Sequence, residues 1–526
     1  MAEAAPAPRR PQRSHATLVA AGILLSRLFG LVRQRALAHF LGLGDGSDAF
    51  NAAFRIPNLL QNLLGEGVLS ASFIPVYARL RAEGRDAEAE RVAGAVLGLV
   101  TLLTALIVLA GVTAAGPLTD MIAPGWSGPK RDLTVALVRL LFPGAGLFVA
   151  SAWCLGVLNS HRRFLLSYAA PVLWNLAIIL SLLLAAAGRS EAGVATVAAV
   201  GSVLGAALQF LVQVPAVLRL VPHLRPNLDT GNASVRVVLT NFVPVFVGRG
   251  VVQLSAFVDT IIASLLGTGA VAGLNTAQVL YTLPVSLFGM SVSAAELPAM
   301  SSATGSEAEV AAALRTRLEA GLRRIAYFVV PSAAAFLGFG AVLAAALFQT
   351  GRFSADDSRY VWAILAGSAV GLLAATMGRL YSSAYYALRD TRTPLRFAVI
   401  RVLVTTVLGY LAAVPLPPLL GLDLRWGAAG LTATAGLAGW LEFYLLQRGL
   451  HARIGRTGLR GGEVARLWAP ALAGALVGYA AQSLLPAAHP VLRAVVVVTP
   501  FAAIYLGGTL LLGVPEARAL VARLRR

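Results

Sequence analysis

Residues 16–41 read ATLVAAGILLSRLFGLVRQRALAHFL, an apolar run with few charges. An α-helix needs about 20 such residues to cross a hydrocarbon core of about 30 Å, so this run is long enough to span a bilayer. A secretory signal peptide has a shorter apolar core followed by a small-residue cleavage site. This run is longer and contains Arg27 and Arg33, which predicts an uncleaved transmembrane helix.

Apolar runs of similar length recur along the whole chain. Of its 526 residues, 57% are hydrophobic and 13% are charged, whereas a soluble domain carries roughly a quarter charged residues. The ten-residue alternation of a transmembrane barrel is not seen. The sequence predicts an all-α, polytopic membrane protein with about fourteen transmembrane helices. They lie near residues 16–41, 49–78, 92–116, 133–158, 165–187, 193–218, 237–265, 271–300, 324–348, 360–387, 396–415, 426–447, 467–485 and 490–513.

Loop charges predict the orientation of these helices. Cytoplasmic loops of membrane proteins are enriched in lysine and arginine. With the N-terminus inside, about 28 basic residues fall in cytoplasmic segments and about 6 in outer ones. This predicts a multi-pass protein of the bacterial inner membrane with both termini in the cytoplasm. The rule also accounts for the net charge of +19 through contacts with membrane lipids, without nucleic-acid binding.

A weak internal repeat divides the chain. The stretch Leu158–Phe164 after the fourth helix aligns with Leu388–Pro394 after the tenth, and Ser26-Arg27 aligns with Gly248-Arg249. Both copies begin on the same side, which predicts two parallel six-helix repeats followed by two further helices. The predicted parts are a disordered basic tail at 1–15, an N-lobe at 16–230, a C-lobe at 231–450 and the last two helices at 451–526.

Arginines within the predicted helices are the first candidates for a binding site. A charged side chain at membrane depth is costly and usually faces a cavity or a partner. Arg27 and Arg33 lie in the first helix, and Arg249 lies at a comparable depth in the seventh. Guanidinium groups suit phosphate or pyrophosphate, which accept bidentate hydrogen bonds. We interpret these arginines as an anion site and include Ser26 among its residues. The alternative is that each arginine pairs with a nearby acid or extends to the interface.

Acidic residues within the spans are the second group of candidates. We interpret Glu66, in the second helix, as a partner that neutralises an arginine when the site is empty. Asp48, near the outer end of that helix, is either a gate or an N-cap. Asp259 is either a weak cation-site candidate or the partner of Arg249 or Arg401.

Glycine and proline predict where the helices bend. A glycine or proline within a membrane helix allows a kink, which transporters use as a hinge. The candidate gating or hinge residues are Gly30, Gly65, Gly67 and Pro57.

Enzyme signatures are missing from the sequence. It has no HExxH, no Walker A motif and no Cys/His cluster with metal-ligand spacing. We therefore expect neither a catalytic activity nor a cofactor or bound metal. Energy would come from an ion gradient, the membrane potential or the substrate gradient.

Several motifs resemble one transporter family. They are the run SRLFGLVR at Ser26–Arg33, the stretches Gly46–Phe50 and Phe54–Leu60, Gly65-Glu66-Gly67, Leu158-Asn159, Arg163-Phe164, Gly351-Arg352-Phe353 and Asp390–Pro394. Together they are similar to the MurJ (MviN) lipid II flippases of the multidrug/oligosaccharidyl-lipid/polysaccharide exporter superfamily. The resemblance covers the whole chain.

The resemblance implies two six-helix lobes around a cationic cavity, with the last two helices forming a groove for the lipid tail. It implies alternating-access transport of lipid II, the undecaprenyl-pyrophosphate-linked peptidoglycan precursor, from the cytoplasmic to the periplasmic leaflet. Arg27 and Arg33 match the family's first-helix arginines, and Asp48 and Glu66 match its acidic positions. Cell-wall synthesis machinery is an implied partner.

Some positions depart from the family pattern. Gln34 replaces an acid, while Gln61 and Val279 replace arginines. We hypothesise that Arg249 supplies one of the two positive charges that are missing at Gln61 and Val279. Asp259 resembles a sodium ligand, but Thr405 and Gly409 stand where its partners are expected.

Other functions stay open at this point. A related polysaccharide-lipid flippase would share the fold. A drug or cation exporter would need acids in the cavity, and a membrane-embedded transferase would need a catalytic Asp or His near a membrane face. A structural scaffold would tolerate loss of Arg27 and Arg33.

Overall fold

The structure, a computed structural model, describes the backbone of residues 12–64, 66–482 and 488–524. Side chains are described throughout these ranges except at residues 12–21, 23, 66, 243–245, 247–256 and 523–524. All regular secondary structure in these ranges is helical, which confirms the predicted all-α class.

Twenty α-helices make up the described chain. They are α1 (Gln12–Leu41), α2 (Asp45–Leu64), α3 (Glu66–Ala82), α4 (Asp86–Thr113), α5 (Ala115–Ile122), α6 (Gly128–Ser160), α7 (Phe164–Ala185), α8 (Glu191–Leu211), α9 (Val214–Leu220), α10 (Ala233–Ser264), α11 (Ala270–Pro284), α12 (Ser291–Ser301), α13 (Glu307–Phe348), α14 (Ala355–Ala387), α15 (Arg392–Ala413), α16 (Leu416–Leu419), α17 (Gly427–Ile454), α18 (Gly461–Gln482), α19 (Pro490–Leu511) and α20 (Pro515–Leu524). A π-helical segment, Val285–Met290, joins α11 to α12, and a 3₁₀ turn, Leu424–Trp426, precedes α17.

The predicted spans coincide with these helices. Within the described ranges, 11 helical segments are long and apolar enough to cross a membrane. The other three predicted spans fall on α1, α10 and α17. The second, sixth and eighth predicted spans are each built from more than one helix: α2 with α3, α8 with α9, and α11 through α12. The chain is thus a multi-pass helical membrane protein.

The chain forms two compact units, Met1–Ile261 and Ile262–Arg526. The lobe limits predicted from the sequence, 16–230 and 231–450, remain predictions. In the first unit, α2 packs on α6, and α7 packs on both α1 and α8. Its buried core includes Phe73, Trp153 and Cys154.

Close helix packing in the second unit depends on small residues. Gly367 and Gly371 are four residues apart on α14 and face α17. A Cβ on Gly371 would overlap the Cα of Gly436, and one on Gly367 would overlap Thr432. Small residues let membrane helices approach until their backbones touch. A side chain larger than the hydrogen of glycine therefore does not fit at Gly367 or Gly371 without moving α17 away from α14.

Two turns, after α6 and after α14, share one backbone geometry. Each places an arginine, Arg162 or Arg389, at φ 59°. The amide after that arginine donates to the carbonyl five positions back, at 2.9 Å in both turns. This is the Schellman motif, in which glycine usually takes the left-handed position. The geometry makes Arg162 equivalent to Arg389, whereas the sequence alignment pairs Arg162 with Arg392.

Candidate functional site

Arg33 on α1 lies against an aromatic ring of α7. Its guanidinium carbon is 4.4 Å from the centre of the Trp174 ring, a distance typical of a cation–π contact. Arg33 Nε is buried and has no hydrogen-bond partner. A buried N–H without a partner is unusual in a folded protein. Arg33 is thus fixed on one face and retains a donor for a ligand.

Three neighbours hold the Trp174 ring in place. Its Nε1 donates a hydrogen bond to Ser202 Oγ at 3.1 Å. Phe54 stacks on the ring with 5.7 Å between centres, and Phe148 meets it edge-on at 5.5 Å. Side chains from α2, α6, α7 and α8 therefore position the surface on which Arg33 rests.

Asn175 is a second polar group beside α1. Its Nδ2 donates to the Pro171 carbonyl at 3.1 Å, while its buried Oδ1 has no partner. A Cβ on Gly30 would lie 3.9 Å from that oxygen. Gly30 therefore borders the asparagine, within a continuous α1.

Ser26 and Arg27 lie further along α1. Arg27 is exposed and Ser26 is half-buried. Gln34, at one of the positions that depart from the family pattern, is buried.

Asp48 is part of a buried ion pair. Its side chain is fully buried, and its Oδ2 is 2.7 Å from Lys130 Nζ. Lys130 also lies 2.8 Å from Asp45 Oδ1 and 4.5 Å from the Trp126 ring centre. Because α2 begins at Asp45, Asp48 lies inside the helix, and the N-cap alternative is wrong. Sequence reasoning missed Lys130, which is distant in the chain and has no motif of its own.

Arg55 is a further intramembrane arginine that sequence reasoning passed over. It lies on α2, within electrostatic range of Asp259 on α10. The sequence alone could have identified Arg55 as a candidate, because an arginine in an apolar span usually faces a partner or a cavity. For Asp259 this electrostatic interaction favours pairing with an arginine over a cation site. Arg401, one of the two arginines predicted as partners of Asp259, forms an ion pair with Glu442 at 3.1 Å.

Other predicted site residues have no described side-chain geometry. The side chains of Glu66 and Arg249, and all of Gly65, lie outside the described residues. Pro57 is buried within α2, and Gly67 is half-buried in the first turn of α3. Their roles as binding or hinge residues stay predictions.

An apolar groove lies in the second unit. Its volume is about 360 Å³, and α11, the π-helical segment, α13 and α19 line it. Phe288 comes from the π-helical segment, and Phe339 marks a break in α13, with φ −145° and ψ 30°. Val498 and Phe501 come from α19, one of the last two predicted spans. Such a surface suits a hydrocarbon chain.

Known proteins resemble this chain in sequence and in fold. The family described as lipid II flippase MurJ matches residues 37–498. The chain belongs to the lipid II flippase MurJ family. The resemblance drawn from the sequence motifs is thus confirmed.

Individual MurJ relatives agree over most of their length. The lipid II flippase MurJ of Burkholderia cenocepacia is 34% identical over 438 residues, covering 82% of each chain. A probable lipid II flippase MurJ of Vibrio cholerae is 28% identical over 443 residues, again 82% of each.

Solved structures share the fold. A lipid II flippase MurJ in an inward closed conformation matches 96% of this chain and 100% of its own, with TM-score 0.77 and 20% identity. An inward-facing multidrug resistance MATE family transporter of the MOP superfamily matches 83% of this chain and 98% of its own, with TM-score 0.61 and 17% identity. The MurJ fold therefore extends over nearly the whole chain.

Proposed function

We propose that this chain is a flippase that moves lipid II from the cytoplasmic to the periplasmic leaflet by alternating access. Membership of the MurJ family supports a transporter rather than an enzyme. The observation that carries the proposal is Arg33, whose guanidinium rests on Trp174 and keeps a buried, unpaired Nε. Such a group is suited to the pyrophosphate that links the lipid to its sugar.

The head-group site is proposed to centre on Arg33. A guanidinium offers several N–H donors in one plane, and stacking on Trp174 fixes one face of that plane. Arg27 and Arg249, with Ser26, are proposed as further contacts of the pyrophosphate. In a low-dielectric site each charge-assisted hydrogen bond is stronger than in water.

The acids are proposed to change partners during transport. Asp48 pairs with Lys130 in this structure, and breaking a buried pair is costly unless another charge replaces the lost one. Glu66 would neutralise an arginine when the site is empty. Bending at Gly30, Gly65, Gly67 and Pro57 would accompany the change of state.

The lipid tail is proposed to follow the apolar groove of the second unit. Phe288, Phe339 and Phe501 give it an aromatic lining. The polyprenyl tail would stay in this hydrocarbon-like path while the head group crosses, and α18 and α19 within 451–526 would form its outer wall.

The location proposed is the bacterial inner membrane, with both termini in the cytoplasm. No cofactor is required. Moving negative charge outward gains about 2.3 kcal/mol per charge at an inside-negative potential of 100 mV, so the membrane potential or an ion gradient is the proposed energy source. Cell-wall synthesis machinery is a proposed partner, because it consumes the product.

The test is lipid II exposure in cells that depend on this chain as their only flippase. We expect the wild-type chain to restore exposure on the outer leaflet and Arg33→Gln to lose it. The matched control is Arg359→Gln, which removes an exposed arginine paired with Asp356 at 2.7 Å. Exposure by Arg33→Gln at the wild-type level, with equal membrane insertion, would refute the proposed site. No exposure by well-inserted wild type would favour a related polysaccharide-lipid flippase or a drug or cation exporter.

A further inference from the structure

We propose that a cavity at the cytoplasmic end of α6 binds the phosphate of an anionic phospholipid. The cavity, called here the α6–α7 cavity, has a volume of about 490 Å³. Its lining includes Leu158, Arg162, Arg163, Leu165, Arg219 and Leu220. It lies wholly within the first unit. Neither Arg33 nor Trp174, the centre of the proposed lipid II site, is among its lining residues.

The cavity carries positive charge without a matching acid. Arg162, Arg163 and Arg219 are all exposed, and among the described residues none of their guanidinium groups forms an ion pair or a hydrogen bond. Three arginines around one cavity offer a phosphodiester several donors at once. A ligand of opposite charge would satisfy all three.

The backbone places one of these arginines at a position where glycine is usual. Arg162 has φ 59°, a left-handed conformation that an L-residue adopts at a cost. A residue kept in such a conformation is a reason to look for a function of its side chain. Here that side chain lines the cavity.

The equivalent turn of the second unit gives an internal comparison. There Asp390 occupies the position of Arg163, and it binds Arg453 at 2.7 Å. The amide and hydroxyl of Thr393 lower the pKa of Asp390 to about 2, which keeps it charged. The second turn therefore has its own neutralising acid, whereas the first turn has two adjacent arginines.

The apolar part of the lining selects a lipid over a soluble phosphate. In the lining, Leu165 is 56% exposed, and Leu218, outside the lining but next to Arg219, is 52% exposed. Exposed leucines beside arginines at the end of a membrane helix match a lipid, whose acyl chain and phosphate are adjacent. A free polyanion would use the arginines and leave the leucines in water.

The test is lipid binding to the full-length chain in detergent, measured by native mass spectrometry. Phosphatidylglycerol is the probe, phosphatidylcholine the uncharged comparison and inorganic pyrophosphate the soluble anion. We expect the double variant Arg163→Gln/Arg219→Gln to lower phosphatidylglycerol affinity roughly 30-fold, since each arginine near a membrane surface contributes about a factor of five. The matched control, Arg389→Gln/Arg392→Gln, removes two arginines at the second turn and should bind as wild type.

Each outcome decides the proposal. Selective loss in the first double variant, with both variants monodisperse, supports it. Equal binding by wild type and that variant overturns it, and so does equal loss in the control. Displacement of phosphatidylglycerol by pyrophosphate at similar concentration would show a soluble-anion site and overturn the lipid assignment. If the variant with two glutamines proves unstable, Arg163→Glu, which reverses one charge, replaces it in the test. This variant should also bind phosphatidylglycerol more weakly than wild type does.

Discussion

Arg33 and Trp174 act as one functional group, because the ring fixes the guanidinium at 4.4 Å. Replacing Trp174 by leucine removes the ring face and leaves the arginine free to move. A cation–π contact contributes about 1 kcal/mol, so we predict that Trp174→Leu weakens lipid II binding about fivefold. The measurement is the affinity of the purified chain for lipid II.

Trp174→Phe is the matched control for that prediction. It keeps an aromatic face but loses the hydrogen bond to Ser202. Its affinity should lie between those of wild type and Trp174→Leu. Wild-type affinity in the leucine variant would show that the ring does not position Arg33.

His161 gives a prediction for pH. Burial lowers its pKa to about 4, and repulsion from Arg81 adds to this effect. Arg81 donates to Nδ1 at 2.7 Å, so the neutral ring carries its proton on Nε2, near Tyr77 OH at 3.0 Å. Asp86 acts in the opposite direction, and Arg163 adds further repulsion.

Because folding lowers the pKa of His161, acid destabilises the folded protein. The unfolded chain takes up a proton near the ordinary histidine value of 6.5, while the folded chain does so only near pH 4. The stability associated with neutral His161 is therefore complete above pH 6.5 and is lost as the pH falls toward 4. Thermal unfolding in detergent should show this loss in wild type and a smaller one in His161→Gln. Identical pH profiles would contradict the assignment.

At the scale of helices, the α14–α17 contact gives a prediction that helix propensity alone would reverse. Alanine is favoured over glycine in a helix by about 1 kcal/mol. Nevertheless Gly371→Ala should destabilise the protein by about 1–3 kcal/mol, because its Cβ would overlap the Gly436 backbone. Gly439→Ala, on α17, is the control, since nothing lies within 4 Å of its Cβ. Unfolding midpoints should fall for the first and stay or rise for the second; the reverse order would contradict the packing.

Helices were largely predictable from the sequence, and their contacts were not. Apolar runs of about twenty residues mark spans regardless of neighbours, so each predicted span falls on a helix. The stacking of Arg33 on Trp174 depends on α1 meeting α7, and the pairing of Asp48 with Lys130 joins residues 82 positions apart. No local pattern encodes either contact. The alignment of the two repeats was displaced by three residues. The two turns have the same hydrogen-bond pattern but different residues at most positions, so residue types alone did not align them correctly.

At the scale of the whole molecule, the orientation can be tested with single cysteines. The native Cys154 is buried, with 1% exposure, so it gives little background labelling. Ala187, between α7 and α8, and Thr304, between α12 and α13, are exposed. With both termini inside, a membrane-impermeant thiol reagent should label Ala187→Cys and spare Thr304→Cys in intact inner-membrane preparations with the periplasmic face outward. Labelling of Thr304→Cys but not of Ala187→Cys would show that the orientation is the reverse of the one predicted.

This chain is proposed to move lipid II across a bilayer on its own, by means of Arg33. The most direct measurement is the rate at which lipid II reaches the opposite leaflet of vesicles that contain only the purified chain. We predict that wild type raises this rate well above that of empty vesicles, whereas Arg33→Gln, reconstituted equally, stays near the empty-vesicle rate. A wild-type rate no higher than that of empty vesicles, or an Arg33→Gln rate equal to wild type, would contradict this proposal.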